Sequence, residues 1–398
     1  MSSFNPKKFT DPDWLATISP GRLVSLLRPW TAYLERRGFQ FPKAGAAELH
    51  CPTVASILMA PDASTPPDMV DALYFIQETS SVEDMEALLE IAASHGLTLD
   101  DDPQVTPADV AIELWTSQPA LLKAHHAEAL ACRQQSFDYF GGTRRPRPFP
   151  DIDEATRLLI EAELDDWFEA RRRGRGSRLL IFRHGSLVWL LVRHGHVMRR
   201  EASHGDDGSA GAAFYRPQQH DVLVYDERTN EIGVHASTLG EKRLYLRTIG
   251  AHLFQDAGYF PSSPRFTLAP LADDGPDALV CEDIPGIDAI RLIEYRLFWG
   301  GAYKEQEVRR ATDIYAAAAA RGIERPIPME PTAAVFKVRF TDSTRERKVT
   351  IRKPASARYE RDGDGAVIET WLRARGLLLR TGATELPDAD AAALLESA

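Results

Sequence analysis

Residues 171–200 read RRRGRGSRLLIFRHGSLVWLLVRHGHVMRR, and a change of period inside them decides the fold. Ahead of them, Ile160, Leu164, Trp167 and Phe168 recur at helical spacing and predict a helix over Glu154–Arg172, with Glu161, Asp165 and Glu169 as an acidic i, i+4 stripe. Beyond Gly176 the pattern turns extended. Arg178–His184, Leu187–Arg193 and Val197–Glu201 read as three strands, with tight turns at Gly185 and Gly195. A helical front followed by strands gives an α+β multidomain chain: an N-terminal all-α region, then a mixed antiparallel-sheet α+β region.

The front end carries helix starts. Ser19-Pro20 precedes Leu23, Leu27, Trp30 and Leu34, with Pro29 as an internal kink and Gly38 as the stop. Thr65-Pro66 and Thr106-Pro107 repeat the start signal, and Ser80 with Glu83 resembles a capping box. These starts are spaced like some helical repeats, but no apolar pattern is shared between the units, so an irregular bundle is expected. The stretch 141–153, GGTRRPRPFPDID, reads as a linker. The expected domains are therefore 1–140 (helical), 154–262 (central α+β, with the arginine-rich strands) and 263–398 (C-terminal α+β).

Within the central domain, Asp221–Tyr225 and Glu231–His235 form an expected hairpin, GDDGSAGA (205–212) a mobile loop, and Leu239–Phe254 a helix. Further on, strands are expected near Arg265–Leu271 and Ile290–Trp299. A helix is expected over Lys304–Arg321, where Val308, Ala311, Tyr315 and Ala318 share a face. Ala334–Phe340 and Lys348–Arg352 alternate as strands, and Ala366–Arg375 closes the chain as a helix stopped by Gly376.

Charge points to a function class. The chain has a formal net charge of −11, yet residues 171–200 hold nine arginines, no lysine and no acid. Guanidinium is always charged and binds phosphate or carboxylate bidentately. Arginine outnumbers lysine 38 to 9, a bias that GC-rich bacterial coding also produces. Residues 1–150 hold 12 basic against 19 acidic side chains, so the helical front repels nucleic acid and a basic site belongs later in the chain. Arg171–Arg175 are explained by a helix C-terminus, with Glu169–Arg173 as an i, i+4 pair. The strand-borne Arg178, Arg183, Arg193, Arg199 and Arg200 remain, together with a second basic surface at Lys337, Arg339, Lys348 and Arg352. These nine are the expected nucleic-acid-binding residues, contacting phosphate without base specificity.

Other chemistry is weaker. Arg183-His184-Gly185 shares three residues with the histidine phosphatase motif, but lies mid-chain and precedes a strand. His194 and His196 have a chelating HxH spacing without a third ligand. Glu360, Asp362, Asp364 and Gly365 follow the start of a calcium loop, but Trp371 stands where a bidentate Glu belongs, and a turn with Asp364 capping the final helix accounts for them. The hairpin around Asp221, Asp226 and Glu231 has the element order of a divalent-metal nuclease without its Glu-x-Lys. P-loop, dinucleotide, GxSxG and HExxH signatures are absent.

No catalytic residue, metal or cofactor is assigned. Three dispersed cysteines, no signal-peptide pattern and no apolar run of membrane length predict a reduced cytoplasmic protein. The expectation is a non-enzymatic component binding nucleic acid or an acidic partner, with its helical region engaging other proteins. The alternatives are a metal-dependent phosphodiester hydrolase in the central domain, possibly inactive, and a structural subunit of a larger assembly.

Overall fold

The computed structural model describes residues 6–42, 49–97, 105–144, 148–204 and 208–379. Among these the chain opens with eight helices: α1 (Pro12–Ala16), α2 (Pro20–Leu27), α3 (Thr31–Arg36), α4 (Cys51–Met59), α5 (Pro67–Thr79), α6 (Met85–Ser94), α7 (Pro107–Ser117) and α8 (Pro119–Cys132). Strand β1 (Ser136–Gly141) and helix α9 (Glu154–Glu169) follow. Then come β2 (Arg178–His184), β3 (Leu187–Gly195), β4 (Arg199–His204), β5 (Ala210–Tyr215), β6 (Gln218–Asp226), β7 (Glu231–His235) and α10 (Leu239–Phe254). The last part comprises α11 (Ala269–Asp273), β8 (Ile287–Gly300), β9 (Glu305–Arg310), α12 (Ile314–Ala319), β10 (Ala333–Phe340), β11 (Arg347–Arg352), β12 (Ser356–Arg358) and α13 (Arg361–Ala374). The α+β class is as expected. No helix among the described residues is long and apolar enough to cross a membrane.

Two compact units result, residues 1–130 with 200–214, and residues 131–199 with 215–398. The helical unit is an irregular bundle around α7, which buries Ala108, Val110, Ala111, Ile112 and Leu114 and packs on α2, α5 and α6. A helix apolar on nearly every side belongs at a centre. Thr106 and Asp109 form a capping box at its start. Asp109 Oδ1 also accepts from Ser19 N at 2.8 Å, which ties the beginning of α2 to α7. Pro29 sits in a 3-10 turn, Arg28–Trp30, that separates α2 from α3. The box expected at Ser80/Glu83 is not formed. Helix α6 begins only at Met85, and Ser81 bonds Asp84 instead.

The second unit is built on one antiparallel sheet ordered β2-β3-β6-β7-β1-β12-β11-β10-β8-β9. Strands from both sides of the expected 262/263 boundary join this sheet, because β1, ahead of the expected linker, pairs with β7 on one side and β12 on the other. Val188 through Val192 are all buried. A central strand covered on both faces reads as a continuous apolar run, which is why β3 does not alternate.

One face of the sheet changes character across its width. The row Val188–Tyr225–Ile232–Phe140 is apolar and packs with Leu164 and Phe168 of α9 and Leu244, Tyr245 and Ile249 of α10. The next row starts as Leu190–Leu223–Val234, then continues as Asp138–Ser356–Arg352. On β10 and β11 this face presents exposed Lys337 directly opposite exposed Lys348. The other face of that half carries Phe336, Val338, Phe340, Val349 and Ile351, all buried, with Trp371 of α13 edge-on to Phe336 at 5.1 Å. On the opposite side of β10 and β11, Lys337, Arg339, Lys348 and Arg352 are exposed, while Ala333 and Val335 of the same face are buried.

Several local expectations are corrected. Lys304–Arg321 is not one helix: Glu305–Arg310 is a strand paired with β8, and only Ile314–Ala319 is helical, started by Asp313. Gly300 and Gly301, at φ +70° and +71°, turn the chain back at the end of β8. Arg265–Leu271 is not a strand; Phe266 makes a single bridge to Leu378 and α11 begins at Ala269. The second RHG is no turn, since His194 and Gly195 still pair with Gln219 and Gln218. Of the loop expected over 205–212, residues 205–207 lie outside the described residues and 210–212 belong to β5. Asp364 does not cap the final helix: α13 starts earlier, at Arg361, and buried Asp364 pairs with Arg347.

Candidate functional site: a basic cleft beside α10

Helix α10 starts at a capping box, with the Thr238 hydroxyl on Glu241 N and the Glu241 carboxylate on Thr238 N. Its apolar side packs on the sheet, so Lys242, Arg243 and Arg247 fall toward the side where the apolar row ends. There they meet Arg352 at the end of β11 and Lys353 after it across a cleft of about 590 Å³. Among the described residues five cations line this cleft, with Asp138 as the one lining carboxylate.

Three of the cations are already neutralised. Lys242 Nζ is 2.5 Å from Asp138, Arg247 is 2.8 Å from Glu163, and Lys353 Nζ is 2.5 Å from Glu330. Burial alone would raise the Glu330 carboxyl. Lys353, the Thr267 hydroxyl and the Leu268 N–H outweigh it and hold Glu330 below its ordinary value. Arg243 and Arg352 are exposed and have no carboxylate partner among the described residues. His235 Nδ1 is engaged 2.9 Å from the Ser136 carbonyl oxygen.

Of the nine residues expected from the sequence, Arg352 alone lines this cleft. Lys337, Arg339 and Lys348 lie on the same sheet face further out, with Lys337 3.4 Å from Glu346 and Arg339 3.8 Å from Asp288. Arg178 and Arg183 sit on β2, the far edge, paired with Glu161 at 3.2 Å and with Asp151 and Glu227 at 3.2 and 3.4 Å. Six strand spacings separate β2 from β11, about 29 Å along the sheet. Arg193 stands opposite Arg178 and His220, while Arg199 and Arg200 are exposed on β4. The two expected basic surfaces are therefore not one site. Lys242, Arg243, Arg247 and Lys353 were missed; the signal for the first three was a basic cluster on one side of a helix, Glu-Lys-Arg-x-x-x-Arg, beside an apolar stripe, and Lys353 directly follows Arg352.

The carboxylates expected for hydrolysis do not converge. Asp226 opposes Glu231 in the hairpin, whereas Asp221 lies five residues along β6 on the other face, about 17 Å away. Each is committed elsewhere. Asp226 holds Arg228, with its Oδ2 3.2 Å from a guanidinium nitrogen. Glu231 pairs at 2.6 Å with Arg265, which also meets Glu369 at 3.1 Å; Tyr359 donates to Glu369 at 2.9 Å and Arg361 donates to Tyr139 at 2.8 Å. Burial pushes the Glu231 carboxyl above its ordinary range despite Arg265. In Glu369 the same burial is outweighed by Arg265 and Arg361, and its value falls.

Asp221 lies in a separate buried network. His194 Nε2 is 3.1 Å from Asp221 Oδ2, and Tyr245 donates to the same oxygen at 2.6 Å. Phe168 stacks on the His194 ring at 4.1 Å. Burial, then the adjacent Asp221 charge, pushes the Tyr245 phenol well above its ordinary value. His194, Asp221 and Glu241 offer atoms within 4.8 Å of one another, a spacing open to a cation. The position beside Glu241 is taken by the Arg173 guanidinium, however, and Arg173 replaces the Glu169 pairing expected from the sequence. This donor set is satisfied within the protein and does not fit a metal. No protein-family model matches the chain, and no curated protein is similar to it.

Proposed function

We propose that this protein is a non-enzymatic binding component that holds phosphate groups of nucleic acid in the cleft between α10 and β11. The observation that carries the reading is the lining: among the described residues five cations line the cleft, and two of them, Arg243 and Arg352, have no carboxylate partner, in a protein of net charge −11. A concave basic site in an otherwise acidic molecule focuses the local field on anions, while the rest of the surface repels them. Arg243 and Arg352 contribute guanidinium groups that no carboxylate occupies among the described residues, and phosphate matches their planar donor geometry. Binding rather than catalysis is favoured because the cleft's carboxylate and its histidine are both engaged, Asp138 with Lys242 and His235 with Ser136.

The test is fluorescence anisotropy with labelled oligonucleotides at low salt, comparing the native protein with Arg243→Glu/Arg352→Glu. Binding that is lost in this variant, and retained in Arg178→Glu/Arg183→Glu, is expected. Equal loss in both, or no binding by the native protein, refutes the cleft as the site.

A further inference from the structure

We infer that the cleft admits one unpaired nucleotide, base inward and phosphate at the mouth, so that the ligand is single-stranded rather than duplex nucleic acid. This rests on the phosphate-binding reading above and adds the form of the ligand.

Burial sorts the lining by depth. Phe140, Val234, Leu246 and Phe260 line the cleft yet are less than a tenth exposed, so they form an apolar floor. Arg243, Arg247 and Arg352 are exposed and form the mouth. Between them, Ser136 and Ser356 stand half-buried, with Ser356 in register between Asp138 and Arg352. A site for phosphate alone has no use for an apolar floor. A duplex presents phosphate and sugar outward and keeps its bases stacked within, so its backbone reaches the mouth and leaves the floor empty. An unpaired base has an apolar face for the floor and a polar edge for hydroxyls, and carries its phosphate one sugar away. The 590 Å³ volume falls in the range of small-ligand pockets, on the scale of one nucleotide rather than of a helix.

Arg243 and Arg247, one helical turn apart, rise about 6 Å along α10. A strand entering the cleft meets Arg243 first, with Arg352 on the opposite wall, while Arg247 stays held by Glu163 at 2.8 Å. Lys348 and Lys337 lie further out on the same face, Lys337 held 3.4 Å from Glu346.

The experiment compares a labelled single strand with a duplex of equal length, on the native protein and on Ser356→Leu, which fills the middle of the cleft without changing its charge. Ser136→Leu, at the other half-buried serine between floor and mouth, serves as a second filling variant, and thermal melting checks that both stay folded. The native protein is expected to prefer the single strand by roughly tenfold, the scale of one base stacked. The filling variants are expected to lose that preference and keep their duplex affinity. Equal native affinity for both forms, or a preference that survives filling in both variants, overturns the inference while leaving the phosphate site standing. Failure of either nucleic acid to bind the native protein removes both.

Discussion

Salt dependence separates the two free guanidiniums of the cleft from its three paired cations. Each phosphate neutralised on a single strand contributes about −0.7 to the slope of log K against log salt. If Arg243 and Arg352 alone engage phosphate, the slope is about −1.4, and raising salt from about 50 to 200 mM weakens binding roughly sevenfold. If all five cations engage, the slope is about −3.5 and the same change costs roughly 130-fold. Lys242, Arg247 and Lys353 lie at 2.5, 2.8 and 2.5 Å from Asp138, Glu163 and Glu330, and must surrender those partners to take phosphate. The structure therefore predicts a slope nearer −1.4 than −3.5. Anisotropy titrations at four or more salt concentrations measure it. The double variant Arg243→Ala/Arg352→Ala should then flatten the dependence almost completely. A native slope near −3.5, or a double-variant slope equal to the native one, refutes the assignment of phosphate to these two arginines.

Three other outcomes test the frame around the cleft. Arg265→Met leaves Glu231 and Glu369 buried without their shared cation, and should lower unfolding free energy by about 3–5 kcal/mol in urea denaturation; a loss below about 1 kcal/mol would show the network to be dispensable. Tyr245→Phe removes a donor to buried Asp221 and should cost about 1.5–3 kcal/mol by the same assay, with no effect on oligonucleotide binding, because Tyr245 does not line the cleft. Glu330 titrates below its ordinary 4.5 when folded, so its contribution is complete above pH 4.5 and is lost as the pH falls through the folded value. The urea midpoint of the native protein should drop in that acid window, and Glu330→Gln should show a smaller drop; identical profiles would contradict the Lys353–Glu330 linkage.

Local signals were legible wherever a residue's role depends on its immediate neighbours. Thr106-Pro107 starts α7, and Leu239–Phe254 is helical between the Thr238 cap and a left-handed Gln255. The period-2 pattern of Ala334–Phe340 put Phe336 and Val338 inside with Lys337 and Arg339 outside. Such features arise from backbone hydrogen bonds within a few residues and from alternation along a single strand. Glu305–Arg310 marks the limit. Its helical spacing of apolar residues was overridden by pairing with β8, which satisfies a whole strand of backbone groups at once. The register that sets Asp138 beside Ser356, and so beside Arg352, joins segments more than 200 residues apart, and no spacing in the chain encodes it.

The basic cleft follows the same division. The sequence by itself determined that arginine-rich segments interrupt an acidic α+β chain, and that Lys337, Lys348 and Arg352 share a strand face. Tertiary structure alone decided which cations meet. The sheet order carried Arg178 and Arg183 to the far edge and into carboxylate pairs, while the apolar row under α10 turns polar at Asp138 before it reaches Arg352 of β11. Charge is a property of residues, but a site is a property of distance, and these distances are set by which strands lie side by side.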